Sequence, residues 1–284
     1  NPAGHSRPHG AKAKATMQQA ADFLAESDVL ATALAPLPEA EWAQPTQFKG
    51  WSVNDIIVHL HYWNQMAHDT LTAPERFHDK AKTMAPAVAA HAMRPVENAA
   101  IPERGQALFA AWQGLCREMA RAWAGVDPKQ RLPWMGPEMS ARSSMTARQM
   151  ETWAHGQAVF DLLGQTRPES DRIRNIVVLG VNTFAWSHQV QGLPVPAHVP
   201  QLQLQAPSGA IWLFGDAASD DLITGSAVEF AQVVTQTRAL GDTGLKAQGP
   251  VAQAWLARAQ CFAGPPEAPP PPGARFAQKL PKSH

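Results

Sequence analysis

The sequence predicts an α+β protein, an N-terminal bundle of at least four helices followed by a smaller α+β domain. Three observations carry this. Apolar residues recur at helical spacing from about residue 15 to residue 191. After Gly192-Leu193-Pro194 the apolar period shortens to that of a strand. Beyond that point short alternating segments mix with two more amphipathic stretches. At ~150 residues per domain, 284 residues correspond to about two domains. The expected organisation is a disordered lead over 1–14, a helix bundle over 15–192, an α+β domain over 193–262 and a Pro-rich tail over 263–284.

The first helix is expected over Met17–Ala35, with Phe23, Leu24, Val29, Leu30 and Leu34 at helical spacing. A loop punctuated by Pro36, Pro38 and Pro45 follows. Ser52 then starts the second helix. Its side chain suits an N-cap, and Asp55 three residues later makes a near capping box with Asp in place of Glu. Val53, Ile56, Ile57, Leu60, Trp63 and Ala67 keep the helical period to about Leu71. Residues 74–100 are Ala-rich and carry Pro74, Pro86 and Pro95, so they read as a broken excursion. A third long helix is expected over Glu103–Ala124, a loop over 126–145, a fourth helix over Thr146–Leu163 and a fifth over Asp171–His188. In the second part Val199–Gln205 alternates, Pro207-Ser208-Gly209 turns, and Ala210–Phe214 returns as a partner strand. Asp221–Gly225 reads as a third strand, and Ala227–Ala239 and Pro250–Ala259 as helices. The last 22 residues hold seven Pro, which favours extended conformations and argues against packing.

Composition excludes several functions. With 24 Lys+Arg against 24 Asp+Glu the chain has no basic field for many phosphates, so nucleic acid is not an expected partner. Apolar content of 45% is that of a globular chain rather than a disordered one. The longest apolar run, Ile176–Val181, falls far short of the ~18 residues a membrane span needs. Two cysteines, Cys116 and Cys261, cannot form a disulfide framework and read as reduced core residues of a cytoplasmic protein. A homodimer is compatible with the sequence, but no coiled-coil heptad specifies one.

Three residues stand out as chemistry. His59 lies on the second helix, and Glu151 and His155 lie four apart on the fourth, one turn above each other on one face. Two imidazoles and a carboxylate suit a divalent metal, Zn²⁺ first, with Ni²⁺ or Fe²⁺ also fitting the donor set. Three protein ligands leave a position open for water or substrate, the arrangement of catalytic sites. The apolar neighbours Ile56 and Trp63 of His59, and Met150, Trp153 and Ala154 of Glu151, are costly surroundings for unpaired polar groups. By contrast His61 lies about 200° around the helix from His59 and cannot share its metal. His61, His68 and His78 are expected to be exposed non-ligands, while His188 could line a pocket. Arg142 and Arg148 read as solvated loop cations, and Asp216, Asp220 and Asp221 as turn formers.

The stretch GWSVNDIIVHL, Gly50 to Leu60, resembles the signature of the DinB-like superfamily that includes the mycothiol-dependent maleylpyruvate isomerases. METWAHGQ, Met150 to Gln157, resembles the second metal segment of its isomerase-type branch, where Glu-x-x-x-His replaces His-x-x-x-His. Ser226 to Pro266 resembles a metal-binding subfamily within it, and the resemblance spans about residues 17–266. It implies a DinB-like four-helix bundle holding a metal, usually zinc, at His59, Glu151 and His155. It further implies an enzyme that uses a low-molecular-weight thiol such as mycothiol, bacillithiol or glutathione for transfer or for isomerising a conjugated double bond. A C-terminal-domain arginine belongs to that pattern, and Arg238 is the candidate, since a guanidinium suits a carboxylated substrate. The expected activity is therefore a metal-dependent isomerase or thiol transferase acting on a small electrophilic substrate, carboxylated or a thioester. Two alternatives stay open: a zinc hydratase or hydrolase without a thiol, and a non-enzymatic metal-bearing binding module.

Overall fold

The structure is a computed structural model that describes residues 17–279; the lead expected over 1–14 and residues 280–284 lie outside the described residues. The elements run α1 (Gln18–Leu34), α2 (Glu39–Trp42), α3 (Val53–Thr72), α4 (Pro74–Ala89), α5 (Met93–Ala100), α6 (Gly105–Trp123), β1 (Arg131–Leu132), β2 (Met139–Ser140) and α7 (Ala141–Leu162). They continue with α8 (Arg174–Asn182), α9 (Phe184–Gln189), β3 (Gln201–Gln205), β4 (Ile211–Phe214), β5 (Leu222–Ser226), α10 (Ala227–Val234), β6 (Lys246–Gln248) and α11 (Pro250–Leu256).

Helices α1, α3, α6 and α7 make the bundle. α1 packs on α6 and α7, and α3 packs on the same two, so each helix has two neighbours around one core. Phe23, Leu30 and Leu34 of α1 meet Ile56, Ile57 and Leu60 of α3, Leu108, Trp112 and Met119 of α6, and Met145 and Val159 of α7 there, all buried. The start of α3 forms as its sequence dictates. The Ser52 hydroxyl accepts from the Asp55 N–H at 3.1 Å while the Asp55 carboxylate accepts from the Ser52 N–H at 2.9 Å, a cap worth about 1 kcal/mol.

The excursion expected over 74–100 is instead two helices, α4 and α5. Its prolines sit where helices tolerate them. Pro74 is the first residue of α4 and Pro95 falls in the first turn of α5, where no N–H is needed; only Pro86 is interior. Both helices lie along α3. The loop expected over 126–145 contains the β1–β2 pair, Arg131 opposite Ser140 and Leu132 opposite Met139. α7 begins at Ala141 rather than Thr146, because Ser140 caps it by accepting from the Ser143 N–H. The fifth helix is broken. A 3₁₀ turn, Asp171–Ile173, leads into α8, and Thr183 separates α8 from α9 by bonding back to the carbonyls of Leu179 and Gly180.

A second core lies beyond the bundle. Ile176, Val177 and Phe184 of α8 and α9 join Leu202, Leu204, Ile223, Phe230, Val234 and Trp255, and Met150 and Trp153 of α7 reach into it. Gly180 lets α8 approach α10, since a Cβ there would stand 2.8 Å from Val234 and 3.0 Å from Phe230. The sheet has the order β4-β3-β5-β6, with β3 antiparallel to β4, parallel to β5, and β5 antiparallel to β6. Alternation in β3 buries Leu202 and Leu204 and turns Gln203 and Gln205 out, as the sequence period required. The short β6 has no period of its own and was not expected.

The Pro-rich tail is extended, as its composition implies, but residues 264–279 lie pinned against the body. Non-proline residues supply the anchors. Glu267 N–H donates to Gln260 Oε1 at 2.9 Å, and its carboxylate pairs with Lys49 at 3.2 Å. Gly273 N–H donates to Asp242, Phe276 N–H to Gln47 Oε1, and Gln278 N–H to the Asp161 carbonyl. The expectation of an unpacked tail fails for that reason: prolines set the extended path, and the donors between them find acceptors on both cores.

Candidate functional site

The bundle brings His59 of α3 together with Glu151 and His155 of α7. One donor atom of each lies within 4.8 Å of the others. His155 Nε2 is 3.0 Å and His59 Nε2 4.0 Å from Glu151 Oε2. Tetrahedral ligands bonded at ~2.0–2.1 Å stand ~3.3–3.4 Å apart, so small side-chain adjustments would place all three on one ion. The side chains of His59, His155 and Glu151 remain 11%, 14% and 21% exposed, so the cluster is neither sealed nor freely solvated.

The electrostatics keep the donors ready. Burial raises the Glu151 carboxyl, but the His155 hydrogen bond and the charges of His155, Arg148 and His59 outweigh it and bring it to about 2. Burial, with the His59 charge adding to it, holds His155 below the ordinary histidine range. Glu151 is therefore ionised and His155 neutral at pH 7, the forms that bind metal.

Aromatic rings wall the cluster. Trp51 stacks on His155 at 6.0 Å and meets His59 edge-on at 5.4 Å; Phe48 meets His155 edge-on at 5.1 Å, and Trp63 lies 6.4 Å from His59. Of the tryptophans beside the three residues in sequence, Trp153 faces the other way, into the second core, where Glu169 accepts from its N–H at 3.0 Å.

Glu97, unmarked by the sequence, completes the arrangement. It is buried, and its carboxylate oxygens lie 2.8 and 2.9 Å from His59 Nδ1. A carboxylate accepts, so Nδ1 carries the proton and Nε2 presents its lone pair to the cluster. Its helix α5 is fastened to α3 a second time by Arg94, whose guanidinium pairs with Asp55 at 2.6 Å and lies over Trp51 at 4.9 Å. Glu97→Gln should weaken metal affinity about 10–100-fold without unfolding the protein. Chelator competition reads this directly; affinity equal to wild type would remove Glu97 from the site.

The remaining candidates take other places. Arg238 gives Nη1 and Nη2 to Asp161, each at 2.7 Å, and its side chain is 13% exposed. Arg148 is buried on α7 over Trp134 rather than solvated in a loop, while Arg142 is exposed. His78 is exposed, but His61 and His68 are buried, against expectation. They escape exposure because α4 and α6 cover that side of α3. His68 accepts from Trp123 Nε1 at 3.2 Å and meets Glu118 at 3.3 Å. His188 is buried and bonds the Phe184 carbonyl of its own helix. Asp216 serves its turn by accepting from the Ala218 N–H, whereas Asp221 accepts from the Ala252 N–H at the start of α11.

Burial lowers His61 to about 4. The unfolded chain takes up that proton near pH 6.5 and the folded one only near 4, so stability contributed by neutral His61 is full above pH 6.5 and lost as pH falls through this window. Acid titration of the unfolding free energy should therefore slope downward from pH 6.5, and His61→Leu should flatten the slope; an unchanged slope contradicts the assignment.

Fold and cluster define a class: a helix-bundle protein that gathers two histidines and a carboxylate from facing helices at one interior point. A family model described as the mycothiol maleylpyruvate isomerase N-terminal domain matches residues 23–160. Uncharacterized protein Rv0036c of Mycobacterium tuberculosis (strain ATCC 25618 / H37Rv) is 39% identical over 249 residues, covering 87% of this chain and 95% of that protein. Uncharacterized protein MT0041 of strain CDC 1551 / Oshkosh matches with the same figures. The crystal structure of the mycothiol-dependent maleylpyruvate isomerase shares the fold at a TM-score of 0.50 and 16% identity, over 83% of this chain and 95% of that one, as does a histidine-to-alanine mutant of that enzyme. The chain belongs to the mycothiol maleylpyruvate isomerase family of the DinB-like superfamily. Among the described residues no helix is long and apolar enough to cross a membrane.

Proposed function

We propose that the protein is a cytoplasmic metal-dependent enzyme of the maleylpyruvate-isomerase or thiol-transferase type. It takes a low-molecular-weight thiol, mycothiol first, and acts on a small electrophilic substrate that is carboxylated or a thioester. The observation that carries this reading is the His59–Glu151–His155 cluster, three donor atoms within 4.8 Å of one another. The donor set fits Zn²⁺, and Ni²⁺ or Fe²⁺ after it. A divalent metal held there supplies a Lewis acid that lets a thiol or water ionise near neutral pH.

The chain's own residues do the rest. Glu97 fixes the His59 tautomer. Trp51 and Phe48 hold the plane of His155 and keep water from two sides of the cluster. The residual exposure of all three donors leaves a path for a small molecule, which supports an enzyme over a sealed metal-bearing module. In this reading Arg238 is a positioning residue that acts through Asp161 at the far end of α7.

Titrating mycothiol, bacillithiol and glutathione into the cobalt-substituted protein tests the proposal. A sulfur-to-cobalt charge-transfer band that saturates with one of the thiols is the expected result. Absence of a band with all three contradicts thiol use.

A further inference from the structure

The tail carries a buried cation whose hydrogen-bonding capacity the fold uses only in part. Arg275 is 6% exposed, and its guanidinium lies over the Phe48 ring at 5.2 Å. That same ring sits edge-on against His155 at 5.1 Å. Nη1 donates to the Gln236 carbonyl at 3.4 Å. Among the described residues Nε and Nη2 have no hydrogen-bond partner.

These two nitrogens are not an arbitrary pair. Nε–H and Nη2–H lie on the same edge of the planar guanidinium and point in parallel, the edge that pairs side-on with two oxygens of one oxyanion. Leaving two buried charged donors unmade is costly. Nearby charges do not remove the need: Asp161 already receives both terminal nitrogens of Arg238. Burial lowers Arg275 to about 10, so it is still a cation at neutral pH.

We infer that Arg275, delivered by the C-terminal tail across Phe48, is the residue that binds a carboxylate of the small molecule brought to the His59–Glu151–His155 cluster. The single charge and two free donors match one carboxylate, whereas a phosphate brings about −1.5 to −2 charges and three acceptor oxygens. The tail is thus a strap that closes one side of the site. Its anchors on both cores, Lys49–Glu267 and Asp242–Gly273 among them, hold Arg275 in place. The inference rests on the proposed function for what the carboxylate meets there, but not for the binding edge itself.

The test is calorimetric titration of acetate, benzoate, succinate and inorganic phosphate into wild type, Arg275→Met and Arg275→Lys, each in zinc-loaded and metal-free form. At least one carboxylate should bind the wild type and lose tenfold or more in affinity in both variants, since lysine keeps the charge but not the paired edge. Zinc content should be unchanged, and the melting temperature of Arg275→Met should be equal or higher, because the variant removes an unpaired buried charge. No binding of any carboxylate to wild type, or equal affinity in Arg275→Met, overturns the inference. Tighter, Arg275-dependent phosphate binding overturns the carboxylate assignment. If the wild type takes up no zinc yet binds a carboxylate through Arg275, the proposed function falls and this inference stands. Stoichiometric zinc with Arg275-independent carboxylate binding gives the reverse.

Discussion

His155→Ala should cost the protein at least about a hundredfold in divalent-metal affinity, more than the loss expected for a supporting residue such as Glu97. The change removes one of three donors and leaves His59 Nε2 and Glu151 Oε2 4.0 Å apart. It also removes the hydrogen bond and charge that hold the Glu151 carboxyl at about 2, so the second donor loses its strongest support. Zinc content after dialysis gives one readout and thermal stability the other. A metal that binds only the folded state raises stability with concentration, so added zinc should raise the melting temperature of wild type and leave that of His155→Ala nearly unmoved. Equal zinc content and an equal thermal shift in the two proteins would place the metal elsewhere.

The second large effect is on stability. Asp161 is 1% exposed and accepts both terminal nitrogens of Arg238 at 2.7 Å and Gln157 Nε2 at 2.9 Å, while its backbone carbonyl receives the Gln278 N–H of the tail. Asp161→Ala leaves the mostly buried Arg238 guanidinium uncompensated, and breaking one partner of a buried pair costs about 3–5 kcal/mol. Denaturant unfolding measures it. Arg238→Met combined with Asp161→Leu should recover much of the loss, because no orphaned charge remains. A loss below about 1 kcal/mol for Asp161→Ala would show that the pair behaves as an exposed one.

How much of this was legible in the sequence depended on whether a signal was local. The start of α3 was legible, because Ser52 and Asp55 satisfy each other within one turn. The pair Glu151 and His155 was legible because helical spacing places them on one face. His59 was marked by its apolar neighbours Ile56 and Trp63, but only the packing of α3 on α7 brings it to the other two. Glu97 was hidden by three prolines that made 74–100 read as broken, although two of them fall in first turns where helices accept them. Arg148 falls inside the helix expected over Thr146–Leu163, but its burial over Trp134 depends on the β1–β2 segment folding back on α7, which no local signal records. Arg275 gave no signal at all. A Pro-rich composition describes backbone preference, and nothing in it records that Gln47, Asp242 and Asp161 offer acceptors for the donors between the prolines.

The central claim is that His59, Glu151 and His155 hold one divalent metal with a position open to a thiol. X-ray absorption at the zinc edge of the purified protein, with and without mycothiol, tests it most directly. About one zinc per chain surrounded by nitrogen and oxygen alone, gaining one sulfur scatterer at about 2.3 Å when mycothiol is added, is the predicted result. A sulfur-free spectrum that mycothiol does not change, or a folded protein that binds no zinc, would contradict it.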